Sequence, residues 1–183
     1  MMERSQLLQV VQDLVTDEVV VPVMSAIKGW ARIPEHFFWC TAMGYGSSVA
    51  LGLALAQPER KVIVLDGDGS LLMNLGSLVT IAGLQPRNLI HIVLENGLYE
   101  LPGSIPVPGR GAFSLPEMAR AAGLEKIREY DEVGAFERGL LSMLKEEGPF
   151  FAVAQVAPSA GEGLPKMTLV DMSRKLERAL SPG

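Results

Sequence analysis

An α/β fold, a three-layer and mainly parallel sheet with helices on both faces, is predicted by three observations. Apolar, β-branched runs have strand length, segments of helical period alternate with them, and glycine or proline marks most of the junctions. Leu7, Leu8, Val11, Leu14 and Val15 recur at helical spacing among polar residues and predict a first amphipathic helix. Val19 to Val23 reads as a short strand, which Pro22 confines to a sheet edge because it has no N–H for a ladder. Gly44-Tyr45-Gly46-Ser47-Ser48 supplies glycine flexibility and hydroxyl caps before an apolar helix over Val49 to Ala56, which Pro58 stops. Lys61 to Asp66 is the next strand, Gly67-Asp68-Gly69 a tight turn, and Ser70 to Ala82 a helix through Leu71, Leu75, Leu78 and Ile81.

Pro86 closes that connection, and Leu89 to Leu94 forms a further strand. The resulting βαβ unit has parallel strands, so Gly67–Gly69 and Glu95–Gly97 fall on the same edge of the sheet. Residues 101–111, with three prolines and three glycines, form a loop beside that edge. Helices over Leu115–Ala122 and Glu132–Glu146 then alternate with strands over Lys126–Tyr130 and Phe150–Val156, and Lys166 to Leu180 completes the chain as a last helix.

With 183 residues, 48% of them hydrophobic, residues 1–183 are expected to form one domain around one core. A net charge of −5 with no long basic stretch argues against nucleic acid or an anionic membrane as partner. The apolar run Val49 to Ala56, interrupted by Gly52, falls far short of the roughly 20 residues of a membrane-spanning helix. Cys40 is the only cysteine and has no internal disulfide partner, and the chain starts without a basic tract followed by an apolar one. A reducing, cytoplasmic setting is the expectation.

Ligands of open parallel sheets bind outside the carboxyl ends of the strands, where Asp68 and Asn96 both fall. Both carry oxygen donors, and a hard dication such as Mg²⁺ takes oxygen ligands, often only one or two from side chains. Gly67 and Gly69 leave the backbone open to a diphosphate. Ser70 opens the following helix, whose N-terminus suits an anion in an otherwise acidic protein.

Gly67-Asp68-Gly69 followed by Glu95-Asn96 resembles the diphosphate and magnesium motif of thiamine diphosphate-dependent decarboxylases. Thr41-Ala42-Met43-Gly44 before an apolar helix, and Tyr99 through the Ala-Arg-Ala-Ala-Gly of 119–123, extend the resemblance over most of residues 36–156. Within that family the chain is most similar to the beta subunits of sulfopyruvate decarboxylases and to phosphonopyruvate decarboxylases. The resemblance implies thiamine diphosphate and Mg²⁺ as cofactors, with Asp68, Asn96 and the Leu98 carbonyl on the metal. It places Gly67, Gly69 and Ser70 at the diphosphate, Met43 as an apolar wedge beneath the cofactor, and Thr41, Ala42 and Tyr99 beside it, the Thr41 carbonyl accepting from the pyrimidine amino group. Two departures stand out. Glu95 replaces the first of a frequent Asn-Asn pair, and Pro102-Gly103-Ser104-Ile105-Pro106 stands where relatives carry Thr-Gly-Gly-Gln-Pro.

The resemblance also implies an activating glutamate on a pyrimidine-binding domain, and the roughly 40 residues before Thr41 are too few for one. The expectation is a two-chain 2-oxo acid decarboxylase, α₂β₂ or larger, in which this chain is silent without an alpha-type partner. A non-catalytic thiamine diphosphate-binding module, a subunit of another thiamine-dependent carboligase or lyase, and a flavodoxin-like domain for another phosphate ligand are the alternatives, and the substrate stays open. Around the motif, Asp66 reads as a strand-end cap or a residue behind the metal, and His91 and His36 as satisfied core or interface histidines. Cys40, Leu72 and Met73 read as core, and Glu100 as either pocket-lining or solvated.

Overall fold

The structure, a computed structural model, describes residues 1–30, 32–34, 36–100, 103–159, 163 and 167–180. The helices are α1 (Arg4–Leu14), α2 (Gly46–Ala56), α3 (Asp68–Leu72), α4 (Gly76–Leu84), α5 (Leu115–Ala121), α6 (Val133–Lys145) and α7 (Leu169–Leu180). The strands are β1 (Val19–Pro22), β2 (Val62–Gly67), β3 (Leu89–Glu95), β4 (Leu98–Tyr99), β5 (Ile105–Pro106), β6 (Lys126–Tyr130) and β7 (Phe150–Gln155). Five of them form one sheet in the order β1-β2-β3-β7-β6, with every pairing parallel. The inner strands β2, β3 and β7 are buried almost to their ends, which is why they read as continuous apolar runs.

Each face of the sheet carries its own core. One gathers Leu7, Leu8 and Val11 of α1 with Phe136, Leu140 and Met143 of α6. The other gathers Ala50 and Ala54 of α2, Leu78 and Ile81 of α4, and Leu115 and Ala119 of α5. Phe136, Leu140 and Met143 are spaced four and three apart, the stripe that one face of a helix buries. The chain steps from β1 to β3, jumps to the rim at β6 and returns to β7, so strand order reverses between β3 and β7, the place where open sheets form a ligand crevice.

Pro22 does lie in an edge strand. Val20 N–H donates to His36 O, and the Phe38 and Cys40 N–H groups donate to Val20 O and Pro22 O, so residues 36–40 dock on the outer side of β1. Val19 and Val23 donate inward, to Lys61 O and Leu65 O, and the missing N–H of Pro22 therefore falls on the outer side.

Several local expectations are corrected. Helix α2 begins at Gly46 and has no side-chain cap, because the Ser47 hydroxyl, already inside the first turn, donates to Ser77 Oγ at 2.7 Å. The helix expected over Ser70–Ala82 is two helices, with turn residues 73–75 between them. Asp68 is helical rather than part of a separate turn. Met73, expected in the core, sits in that interruption and is 56% exposed. The 101–111 loop carries β5, paired antiparallel with β4. Leu101 and Pro102 lie outside the described residues, as does Lys166 at the expected start of the last helix. Among the described residues no helix is long and apolar enough to cross a membrane.

Candidate functional site

The register of the two central strands sets Gly67 of β2 beside Leu94 of β3, so the residues that follow each strand emerge at the same level. There Asp68, 2% exposed, accepts two backbone hydrogen bonds: Gly69 N–H to Oδ1 at 2.7 Å and Gly97 N–H to Oδ2 at 2.6 Å. Gly97 has a positive φ of 72°, a backbone conformation that favours glycine next to Asn96, and the exposed Arg110 side chain lies over it. Asn96 Oδ1 accepts from Leu98 N–H at 2.8 Å, and its Nδ2 donates to Glu100 Oε1 at 3.0 Å. Asp68 and Asn96 thus line one pocket, with Gly67, Gly69, Ser70, Leu98, Tyr99 and Met43 in the same wall. Thr41 and Ala42 stand apart from that lining, exposed at the start of the turn that leads to Met43.

Met43 is brought in by its neighbour. Gly44 N–H donates to Ser70 Oγ at 3.0 Å, and Gly44 O accepts from Asn74 Nδ2 at 2.9 Å, which ties the segment before α2 to α3 and the turn after it. Ser70 therefore positions the 41–44 segment, a role beyond its expected one at the diphosphate. Helix α3 has only five residues, too few for the helix-dipole contribution expected of a continuous helix.

Burial pushes the Asp68 carboxyl above its usual range, against the lowering effect of its hydrogen bonds from Gly97 and Gly69 and of the nearby Asn96 backbone; the charge of Glu100 adds to the rise. Glu95 is raised too, by burial first and then by the charges of Asp68 and Glu129. It lines an adjoining pocket with Asp68, Asn96 and Arg110. Among the described residues no three His, Cys, Asp or Glu side chains cluster as a metal site. One buried carboxylate beside neutral amide and carbonyl oxygens is instead the kind of donor set that suits a hard dication already carrying phosphate oxygens.

Glu100, read as either solvated or pocket-lining, lines the pocket, with its carboxylate paired to Arg4 at 2.5 Å. Arg4 lines the pocket and was missed as a site residue, because on sequence it is one charge at the start of an amphipathic helix. Met24 and Ser25 of the lining were missed as well, as was Asn74, which holds the Gly44 carbonyl. For Met24 the sign was conformational, a positive φ of 49° that the sequence does not display. Asp66 caps Gly67 N–H through Oδ1 at 2.9 Å as expected. Its Oδ2 and both ring nitrogens of buried His91 have no hydrogen-bond partner, and Nε2 lies 3.8 Å from Oδ2. His91 is therefore a core histidine but not a satisfied one, its ring packed edge-on against Phe151. His36 is buried with Nδ1 3.8 Å from Asp17, and Cys40 is buried as expected.

Known proteins agree with this architecture. The family model for the thiamine pyrophosphate enzyme, C-terminal TPP binding domain, matches residues 23–154. The chain is 38% identical over 162 residues to the sulfopyruvate decarboxylase subunit beta of Methanothermobacter thermautotrophicus, covering 86% of this chain and 84% of that one. It is 36% identical over 143 residues to the phosphonopyruvate decarboxylase of Streptomyces viridochromogenes, covering 77% of this chain and 36% of that longer one. In fold it matches the Rhodococcus jostii thiamine diphosphate-dependent 4-hydroxybenzoylformate decarboxylase with a TM-score of 0.69 at 22% identity, over 88% of this chain and 33% of that chain. The chain therefore belongs to the thiamine pyrophosphate enzymes, matching them through their C-terminal TPP-binding domain.

Proposed function

We propose that residues 1–183 form one thiamine diphosphate- and Mg²⁺-binding domain, the subunit of a two-chain 2-oxo acid decarboxylase that grips the diphosphate. The observation that carries this reading is the convergence of Asp68 and Asn96 at the carboxyl ends of adjacent parallel strands, in a chain of this family. The residues fit the metal. Asp68 is a buried carboxylate; Arg4 is paired with Glu100, and Arg110, in the adjoining pocket, forms no ion pair with Asp68 among the described residues, so a dication fits as its neutraliser. In this reading Asp68, Asn96 and the Leu98 carbonyl hold Mg²⁺, Gly67, Gly69 and Ser70 face the diphosphate, and Met43 supports the cofactor from below. Tyr99 lies against Gly69 and bounds the pocket, while Thr41 and Ala42, outside the lining, would meet the cofactor from the exposed start of the 41–44 turn.

Bound there, thiamine diphosphate would supply the carbon nucleophile and the electron sink that decarboxylation of a 2-oxo acid needs. The chain's own part is to fix that cofactor and keep water from it. The activating glutamate belongs, in this reading, to a pyrimidine-binding alpha-type partner. Two observations support a partner: the Methanothermobacter relative is by name a subunit, and Tyr45, Leu55, Met73 and Val79 expose apolar surface on and beside α2 and α4.

Calorimetry of thiamine diphosphate with Mg²⁺ against the full chain tests the reading, and Asp68→Ala should abolish magnesium-dependent binding. Carbon dioxide release from a panel of 2-oxo acids should require the partner chain. Turnover by this chain alone would overturn the two-chain assignment, and metal-independent binding would overturn the role of Asp68.

A further inference from the structure

Arg4 is the first residue of α1, far in sequence from everything else in the pocket, yet it is 2% exposed. Its Nη1 lies 2.5 Å from Glu100 Oε2, and its Nη2 donates to Ser159 Oγ at 3.1 Å. The other carboxylate oxygen of Glu100 accepts twice, from Ser159 N–H at 3.1 Å and from Asn96 Nδ2 at 3.0 Å. The N-terminus is held in place for this contact, since Met2 N–H donates to Gln155 O and Met2 O accepts from Ala157 N–H, beside the end of β7.

This arrangement decides which way the Asn96 amide faces. A carboxylate only accepts, so the NH₂ end must lie against Glu100. The flipped amide would set oxygen against oxygen there and NH₂ against the Leu98 N–H. Stability does not account for the pair, because a buried ion pair typically contributes no more than well-packed apolar side chains of the same volume. We propose that Glu100, clamped by Arg4, is the positioning residue that turns the Asn96 oxygen toward the cation. The inference rests on the metal-site reading above and adds to it the device that orients one ligand.

The test uses Mn²⁺ as the probe, titrated into the full chain with saturating thiamine diphosphate and followed by the loss of the free Mn²⁺ EPR signal. Arg4→Met with Glu100→Leu removes both charges together, so no buried charge is orphaned, and should weaken Mn²⁺ binding about 10–100-fold, the usual effect of losing a ligand's supporting hydrogen bond. Arg4→Met with Glu100→Gln keeps an oxygen acceptor that Ser159 N–H holds toward Asn96, and should recover most of that affinity. Glu100→Asp retains the charge facing Arg4 but falls one methylene short of Asn96. It should weaken binding in the same direction, and it serves where the leucine variant does not fold. Wild-type affinity in the leucine or aspartate variant overturns the positioning role, as does a glutamine variant as weak as the leucine one. A wild-type chain that takes up no Mn²⁺ with thiamine diphosphate overturns the metal site itself, a result distinct from the others.

Discussion

Replacing Gly46 by alanine places a Cβ 2.3 Å from Val23 Cγ2 and 3.5 Å from Asp66 Oδ2, whereas comfortable carbon–carbon contact begins at about 3.5 Å. Val23 is fully buried, and its N–H is bonded to Leu65 O, so relief requires α2 to move away from the end of β1. Overpacking of this kind costs about 1–3 kcal/mol. The helical preference for alanine over glycine offsets about 0.5–1 kcal/mol of it, which leaves a net loss on the order of 1–2 kcal/mol. For a chain of this size that lowers the melting temperature by roughly 2–8 °C. Gly52, on the exposed side of the same helix, has no atom within 4 Å of its added Cβ. There the same substitution brings only the helical preference and should raise the melting temperature by roughly 1–4 °C. Thermal unfolding followed by far-ultraviolet circular dichroism reads both. A Gly46→Ala chain melting at or above wild type, or a Gly52→Ala chain melting below it, refutes the packing argument.

At Gly69 an added Cβ would lie 2.4 Å from Tyr99 Cε1, so Gly69→Ala drives the ring out of its place beside the pocket. Magnesium-dependent thiamine diphosphate binding should fall about tenfold or more by calorimetry, and an unchanged affinity would show that the Tyr99 position is immaterial. Arg4→Met alone leaves Glu100 buried without its cation and should cost about 3–5 kcal/mol in urea unfolding, while Arg4→Met with Glu100→Gln should cost much less. Equal losses would mean the pair is not coupled. Burial pushes the Cys40 thiol up, opposed by a backbone hydrogen bond from Ala42 and aided by the charge of Asp66. Alkylation near pH 8.5 should therefore be far slower in the folded chain than in denaturant. Because the folded thiol binds its proton more tightly than the unfolded one, its linkage makes stability fall as pH rises past the unfolded thiol's value. A Cys40→Ala chain should lack that component.

The parallel sheet was legible because β2, β3 and β7 are buried on both faces and so appear as uninterrupted apolar runs between glycine and proline. Asp68 and Asn96 could be paired on sequence for the same reason, since parallel strands bring their carboxyl ends to one edge. Arg4 could not. Its place in the pocket depends on Met2 docking beside β7, more than 150 residues away along the chain, and no local pattern encodes that contact. The break at residues 73–75 was hidden as well, because Leu71, Leu75 and Leu78 keep helical spacing across it, while the turn is fixed by the tertiary bond from Asn74 to Gly44. His91 shows the converse error. An apolar strand was rightly read as buried, but hydrogen-bond satisfaction is a property of neighbours that the strand itself does not specify.

The docking of residues 36–40 on β1 bears on how copies of this chain can aggregate. With that rim occupied and a proline in it, an incoming strand cannot pair directly with β1. The opposite rim, β6, exposes Lys126, Arg128 and Glu129, charges that disfavour an added strand. Growth of the sheet across molecules is disfavoured at both ends, which favours the helical faces as the surfaces through which this chain joins another.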